Sequence, residues 1–168
     1  MSIKTDDHED WYNRGIVLSD LGKLEEAIAS YDQALKIQPD YHEAWNNRGI
    51  ALRNLGRLEE AIASYDQALK IKPDYHEAWF NRGIALFFLG RLKEAIASFD
   101  QTLKIKPDYH EAWYNKACCY ALLENVYLAI ENLQQAINLN PKCREMAKTE
   151  TDFDNIREYK QFQNLISR

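Results

Sequence analysis

The sequence predicts an all-α chain, a solenoid of four helix-turn-helix units closed by a C-terminal helical segment, and three observations predict it. The four tryptophans, Trp11, Trp45, Trp79 and Trp113, follow one another at intervals of 34 residues. The four histidines, His8, His42, His76 and His110, each stand three residues before a tryptophan, and Pro39, Pro73, Pro107 and Pro141 keep the same period. Between these markers Leu24, Ala27, Ile28, Tyr31, Ala34 and Leu35 recur at threes and fours, the spacing of an amphipathic helix. Two helical stretches per period make one hairpin per repeat. A lone pair of short helices cannot bury its apolar stripe, so the units must stack and share a core.

With each histidine as slot 1, residues 1–7 form a lead-in, the units are 8–41, 42–75, 76–109 and 110–143, and 144–168 closes one continuous domain. The first helix of a unit is expected to start at Asp40-x-x-Glu43, Asp74-x-x-Glu77 or Asp108-x-x-Glu111, an acidic analogue of a capping box. Its end is expected at Gly22, Gly56 and Gly90, where positive φ is wanted, with Asn125 as the substitute in the fourth unit. Gly49 and Ala61 are small slots that let the two helices of a hairpin approach closely, and burial of Trp45 and Tyr65 around them should stabilise by about 2–3 kcal/mol each.

Composition excludes several function classes. With 46% apolar and 28% charged residues in 168, the chain should fold as about one domain. A net charge of −5 has the wrong sign for a phosphate backbone, so no nucleic-acid partner is expected. The longest apolar run, Ala117 to Leu123, is seven residues, against the roughly 20 a spanning helix needs, so no membrane partner is expected. The first residues carry no apolar stretch of a secretion signal, and Cys118, Cys119 and Cys143 form no CxxC pair, so a cytoplasmic location is expected. The histidines sit in successive units and no HExxH occurs; Asp152-Phe153-Asp154 lacks the glycine of a calcium loop, and no phosphate-binding glycine loop is present. No catalytic residue, metal or cofactor is expected. Arg14, Arg48, Arg82 and Lys116 form a basic row at slot 7, expected to pair with nearby carboxylates.

Trp11, Gly15, Ala27, Tyr31 and Pro39 in the first unit, repeated in the second and third, resemble the signature of the tetratricopeptide repeat over residues 8–143. The fourth unit departs, with Ala117 for glycine, Leu133 for the aromatic and Glu124 for the turn glycine. The resemblance implies a right-handed α-solenoid with C-terminal capping helices, and a non-enzymatic scaffold that binds an extended peptide or partner segment. The 25 residues from Arg144 break the period and are similar to the segment that closes some bacterial arrays of this family. Phe153, Ile156, Tyr159, Phe162, Leu165 and Ile166 predict a helix with one buried face, expected to cap the fourth unit; the alternative is that it enters the binding groove as an internal ligand.

Variation between units points to a surface. The second and third units agree at 28 of 34 slots, and three of the six differences, Asn46/Phe80, Arg53/Phe87 and Asn54/Phe88, fall at slots 5, 12 and 13, on one face of the first helix. In the family, slots 2, 5, 6, 9, 12 and 13 line the peptide groove. Carried over, these implicate Tyr12 and Asn13; Asn46, Asn47, Ile50, Arg53 and Asn54; Phe80, Asn81, Ile84, Phe87 and Phe88; and Tyr114 and Asn115. Slot 6 is asparagine throughout, which resembles the asparagine ladder of the tetratricopeptide domain in O-linked N-acetylglucosamine transferase; bonding of each amide within the scaffold is the alternative. The carboxylate clamp of chaperone-binding members needs lysine and asparagine where this chain has Tyr12 and Ile16, and lysine and arginine where it has Glu77 and Asn81. Tails of that kind are not expected as ligands. Micromolar affinity, about −8 kcal/mol, is expected for a peptide with an apolar anchor. The competing expectation is a self-assembling scaffold, a homodimer joined through the Phe87-Phe88 patch or the tail.

Overall fold

The computed structural model describes residues 7–167, and among these every regular element is helical. The chain divides into two compact bodies, Met1–Ala85 and Leu86–Arg168.

The first body holds α1 (His8–Asp20), α2 (Leu24–Ile37), α3 (His42–Asn54), α4 (Leu58–Ile71) and most of α5 (His76–Phe88). The first helices start at the histidines, but the capping carboxylates are not where the sequence suggested. Tyr41, not Asp40, is the N-cap of α3, with no side-chain cap bond, and Asp40 instead accepts from Gln38 Nε2. The tight turn after each proline moves the aspartate one residue outside the helix. α1 is capped by a carboxylate, Asp7 accepting from the backbone N–H of Asp10 at 2.9 Å.

Within a hairpin, close approach is set by glycine. A Cβ placed on Gly49 would lie 2.5 Å from Cε1 of Tyr65, and one on Gly15 would overlap Tyr31 in the same way. Tyr31 and Tyr65 are accordingly almost fully buried. Between hairpins α2 packs on α3, and the repeat markers join unit to unit. Trp45 and Trp79 donate their indole N–H to the carbonyls of Pro39 and Pro73, each at 2.9 Å. His8 and His42 stand edge-on to Tyr41 and Tyr75. Arg48 bridges to Asp32 on α2 and Ser64 on α4, both at 2.7 Å, and Arg82 reaches Asp66 at 2.7 Å. At Arg48 and Arg82 the basic row is therefore an ion-pair ladder between successive hairpins, with each cation also over its own tryptophan ring, whereas Arg14 has no carboxylate partner among the described residues.

The second body holds α6 (Leu92–Ile105), α7 (His110–Leu122), α8 (Val126–Leu139), α9 (Lys142–Thr149), a 3-10 turn (Thr151–Ile156) and α10 (Lys160–Ile166). Lys116 with Asp100 and Trp113 with the Pro107 carbonyl repeat the same links. The turn before α8 corrects the sequence expectation: Glu124 takes the left-handed conformation, φ +58, while Asn125 has φ −88 and caps α8 by accepting from Leu128 N–H. Asn125 is thus a helix cap and not the turn residue. The tail is also not one helix. It is α9, the 3-10 turn and α10, with Phe153, Ile156, Phe162 and Leu165 buried and Tyr159 outward, half exposed. Arg157 fixes the break by donating to the carbonyls of Lys148 and Glu150, each at 2.7 Å. No helix among the described residues is long and apolar enough to cross a membrane.

Candidate functional site

In the first body the first-helix face carries a continuous polar chain. Asn47 Nδ2 on α3 donates to the Tyr12 hydroxyl on α1 at 2.9 Å, and Asn46 Nδ2 lies 3.5 Å from Asn47 Oδ1. Asn81 Nδ2 on α5 donates to Asn46 Oδ1 at 3.1 Å, and Arg53 donates to Asn81 Oδ1 at 3.3 Å. Slot 6 of one unit thus reaches back to slot 5 of the unit before, so the asparagines serve the scaffold. Each keeps spare bonding capacity: an amide has two N–H donors and a guanidinium five. Tyr12 packs against Tyr41 and Tyr31 at 4.8 and 6.0 Å between ring centres. Burial, and then those two phenols, push its hydroxyl up to about 12.

Beside this chain Ile16, Ser19, Asp20, Tyr31, Asn47 and Ile50 line a cleft of about 170 Å³. Five of the six occupy the slots singled out from the sequence. Tyr31 was not anticipated there; it reaches the cleft from α2 and its hydroxyl lies 3.3 Å from Ser19 Oγ. Asn13 and Asn54 are exposed, Asn46 is buried, and Ile50, Arg53, Phe80, Asn81 and Ile84 are half-buried.

The second body places its four candidates differently. Phe88 is 66% exposed, its ring edge-on to Phe87 at 5.8 Å, while Phe87 packs against the apolar cluster of α7, α8 and the tail. Tyr114 is buried, edge-on to Phe153 of the 3-10 turn at 5.8 Å. Asn115 donates to the Glu111 carbonyl of its own helix at 2.8 Å. Tyr114, Cys118 and Ala121, slots 5, 9 and 12, all lie in the cluster that the tail completes. The Cys118 thiol hydrogen-bonds Asp152, and burial holds the thiol well above its usual range and raises the Asp152 carboxyl. A thiol so held is a poor nucleophile. A further cleft, about 610 Å³, is lined by Val126, Tyr127, Ile130, Glu131, Gln134, Tyr159 and Gln161. The sequence signal for it was Tyr127, an aromatic where the other units carry Glu25, Glu59 and Lys93. Among the described residues no group of three or more His, Cys, Asp or Glu could hold a metal ion.

Models of the tetratricopeptide repeat match residues 12–76 and 55–110, and a second such model matches 110–143. The chain is a tetratricopeptide repeat protein. None of the curated proteins matches it. Among solved structures, MamA 41-end from Desulfovibrio magneticus RS-1 is similar at a TM-score of 0.78 and 23% identity, over 96% of this chain and 94% of that one. A tetratricopeptide repeat protein from Parabacteroides merdae gives 0.80 and 22%, over 94% and 63%. The first tetratricopeptide domain of Spaghetti (RPAP3), bound to the HSP90 peptide SRMEEVD, gives 0.69 and 23%, over 74% and 98%. At these identities the likeness is one of fold. Tetratricopeptide hairpins form a protein–protein interaction scaffold, and this chain has that fold.

Proposed function

We propose that this tetratricopeptide chain is a non-enzymatic scaffold holding an extended segment of a partner protein on its first-helix faces. The observation that carries it is the chain from Tyr12 through Asn47, Asn46 and Asn81 to Arg53 beside the Ile16–Ile50 cleft. It fixes amide and guanidinium groups in place while leaving further N–H donors for a peptide backbone, which costs little ordering on binding. In the second body Phe88 supplies an exposed apolar contact, worth about 1.5–3 kcal/mol to a side chain that covers it. Tyr114 and Asn115 act by holding the tail and their own helix.

Selection of random peptides from a display library tests this. Peptides taken by the wild-type chain should lose at least about tenfold in affinity to an Asn47→Ala, Asn81→Ala variant, the effect of one or two lost hydrogen bonds to charged or amide groups. Loss of less than twofold would place the ligand elsewhere. The peptide SRMEEVD, bound by the RPAP3 domain, should not bind, since Tyr12, Ile16, Glu77 and Asn81 stand in the clamp positions. A second function is favoured by one observation only, the exposure of Phe88: a self-assembling scaffold would show a concentration-dependent dimer by light scattering, lost on Phe88→Ala.

A further inference from the structure

Three junctions inside the chain repeat one contact, and the same contact is half-built at α1. At each junction the slot-7 cation of a first helix takes an aspartate from the second helix before it: Arg48 with Asp32, Arg82 with Asp66, Lys116 with Asp100, all at 2.7 Å. Arg14 occupies that slot in α1. Its guanidinium lies over Trp11 at 5.3 Å, as Arg48 lies over Trp45 at 5.8 Å, so it is held in the conformation that receives an acid. No described residue supplies one. Around it Trp11, Leu18, Glu26, Ala29, Ser30 and Gln33 line a cleft of about 400 Å³, Glu26 being paired with Lys23 at 3.4 Å, and Val17 and Leu21 are 58% and 67% exposed. At the internal junctions the counterparts of Leu18, Leu52 and Leu86, are wholly buried.

We infer that this face of α1 and α2 is a docking seat for an amphipathic helix of another protein, one that offers a carboxylate to Arg14. The seat also defines what it refuses. Slots 3 and 10, alanine at the next two first helices and there almost fully buried, are Asp10 and Val17 in α1, both exposed. In the first body the slot-3 residue Ala78 packs with Ala68 and Leu69, near the end of α4. A helix seated in that manner on α1 must place a basic residue, and not an apolar one, opposite Asp10. The second helices of this chain carry Ala34-Leu35, Ala68-Leu69, Thr102-Leu103 and Ala136-Ile137 there, none of them basic, and α8 carries Gln134 where the acid would be. A second copy therefore fits badly, and the fitting partner has an Asp or Glu followed two residues later by a Lys or Arg, at the places that Asp66 and Ala68 take in α4.

The probe is a capped peptide of residues 57–72 carrying Ala68→Lys, titrated into the ¹⁵N-labelled full chain. The expected result is chemical-shift change at the Trp11 indole N–H and the Arg14 Nε–H, confined to α1 and α2. Arg14→Glu, at an exposed side chain, should weaken the affinity by about tenfold, and an added Asp66→Lys in the peptide should restore it on that variant. Absence of shifts at millimolar peptide, shifts centred on α3 to α5, or affinity indifferent to Arg14→Glu would each overturn the inference. A dimer of the chain that Arg14→Glu disperses would overturn it in favour of a second copy.

Discussion

The second and fourth units use the same slots for opposite ends. In α3, slots 5, 6 and 12 are Asn46, Asn47 and Arg53, tied into a polar chain that remains open to solvent along one side. In α7 they are Tyr114, Asn115 and Ala121, and the face is closed by Phe153 and its neighbours in the tail. The hairpins differ to match. Gly49 faces Tyr65, whereas Ala117 is paired with Leu133, so a methyl group gained on one helix accompanies an aromatic ring lost from the other. A repeat fixes the backbone path, and the side chains at a few slots decide whether a face receives a partner or a piece of the same chain.

The largest expected effect is at the closed face. Phe153→Ala removes a fully buried ring that meets both Tyr114 and Phe162 and should cost about 3–5 kcal/mol in urea unfolding; a loss below 1 kcal/mol would mean that the tail is not part of the fourth unit's core. Next is the exchange inside the hairpin. Gly49→Ala should destabilise the wild-type chain by about 1 kcal/mol, the clash with Tyr65 exceeding alanine's helical advantage, yet should stabilise a Tyr65→Leu background by a similar amount. An effect of the same sign in both backgrounds would refute the pairing.

The open face should respond less. Asn81→Ala removes partners from Asn46 and Arg53 at about 1 kcal/mol, measured by thermal melting. Glu124→Gly should gain about 0.5–1 kcal/mol by relieving the left-handed turn that Gly22, Gly56 and Gly90 fill in the other units. The smallest effect depends on pH. Burial, and then Glu150, raise the folded carboxyl of Asp152 above its unfolded value, so it favours the protonated fold and its contribution is lost as pH rises through the folded value. Asp152→Asn should therefore melt higher than wild type at pH 7, with the difference shrinking as pH falls through the raised folded value towards about pH 4. A constant difference across that range would point to packing alone.

The period, the hairpins and the family were legible because tryptophan, glycine and alanine recur under a steric requirement that any copy must meet. The roles of the markers were less so. Nothing in the spacing of His8 and Tyr41, or of Trp45 and Pro39, shows that they touch, since both contacts join the end of one unit to the start of a hairpin. The fourth turn misled because asparagine tolerates positive φ, yet here it does better as a cap, leaving Glu124 to take the strained position. On the candidate face, the slots taken from the family coincide with the cleft in the first body. Tyr114 could not be placed from its own repeat, because what covers it lies some forty residues on, outside the period.

All three cysteines belong to the second body and all are buried, with the Cys119 thiol pushed up to about 12 and Cys118 higher than usual for the same reason. Alkylating reagents attack the thiolate, so in the intact molecule they should find almost nothing to react with. The rate at which they do react becomes a chemical clock for transient opening of residues 86–168. Trp11, Trp45 and Trp79 belong to the other body and Trp113 to this one, so in a Trp113→Phe variant the emission reports on the other body and one sample can time the loosening of each half.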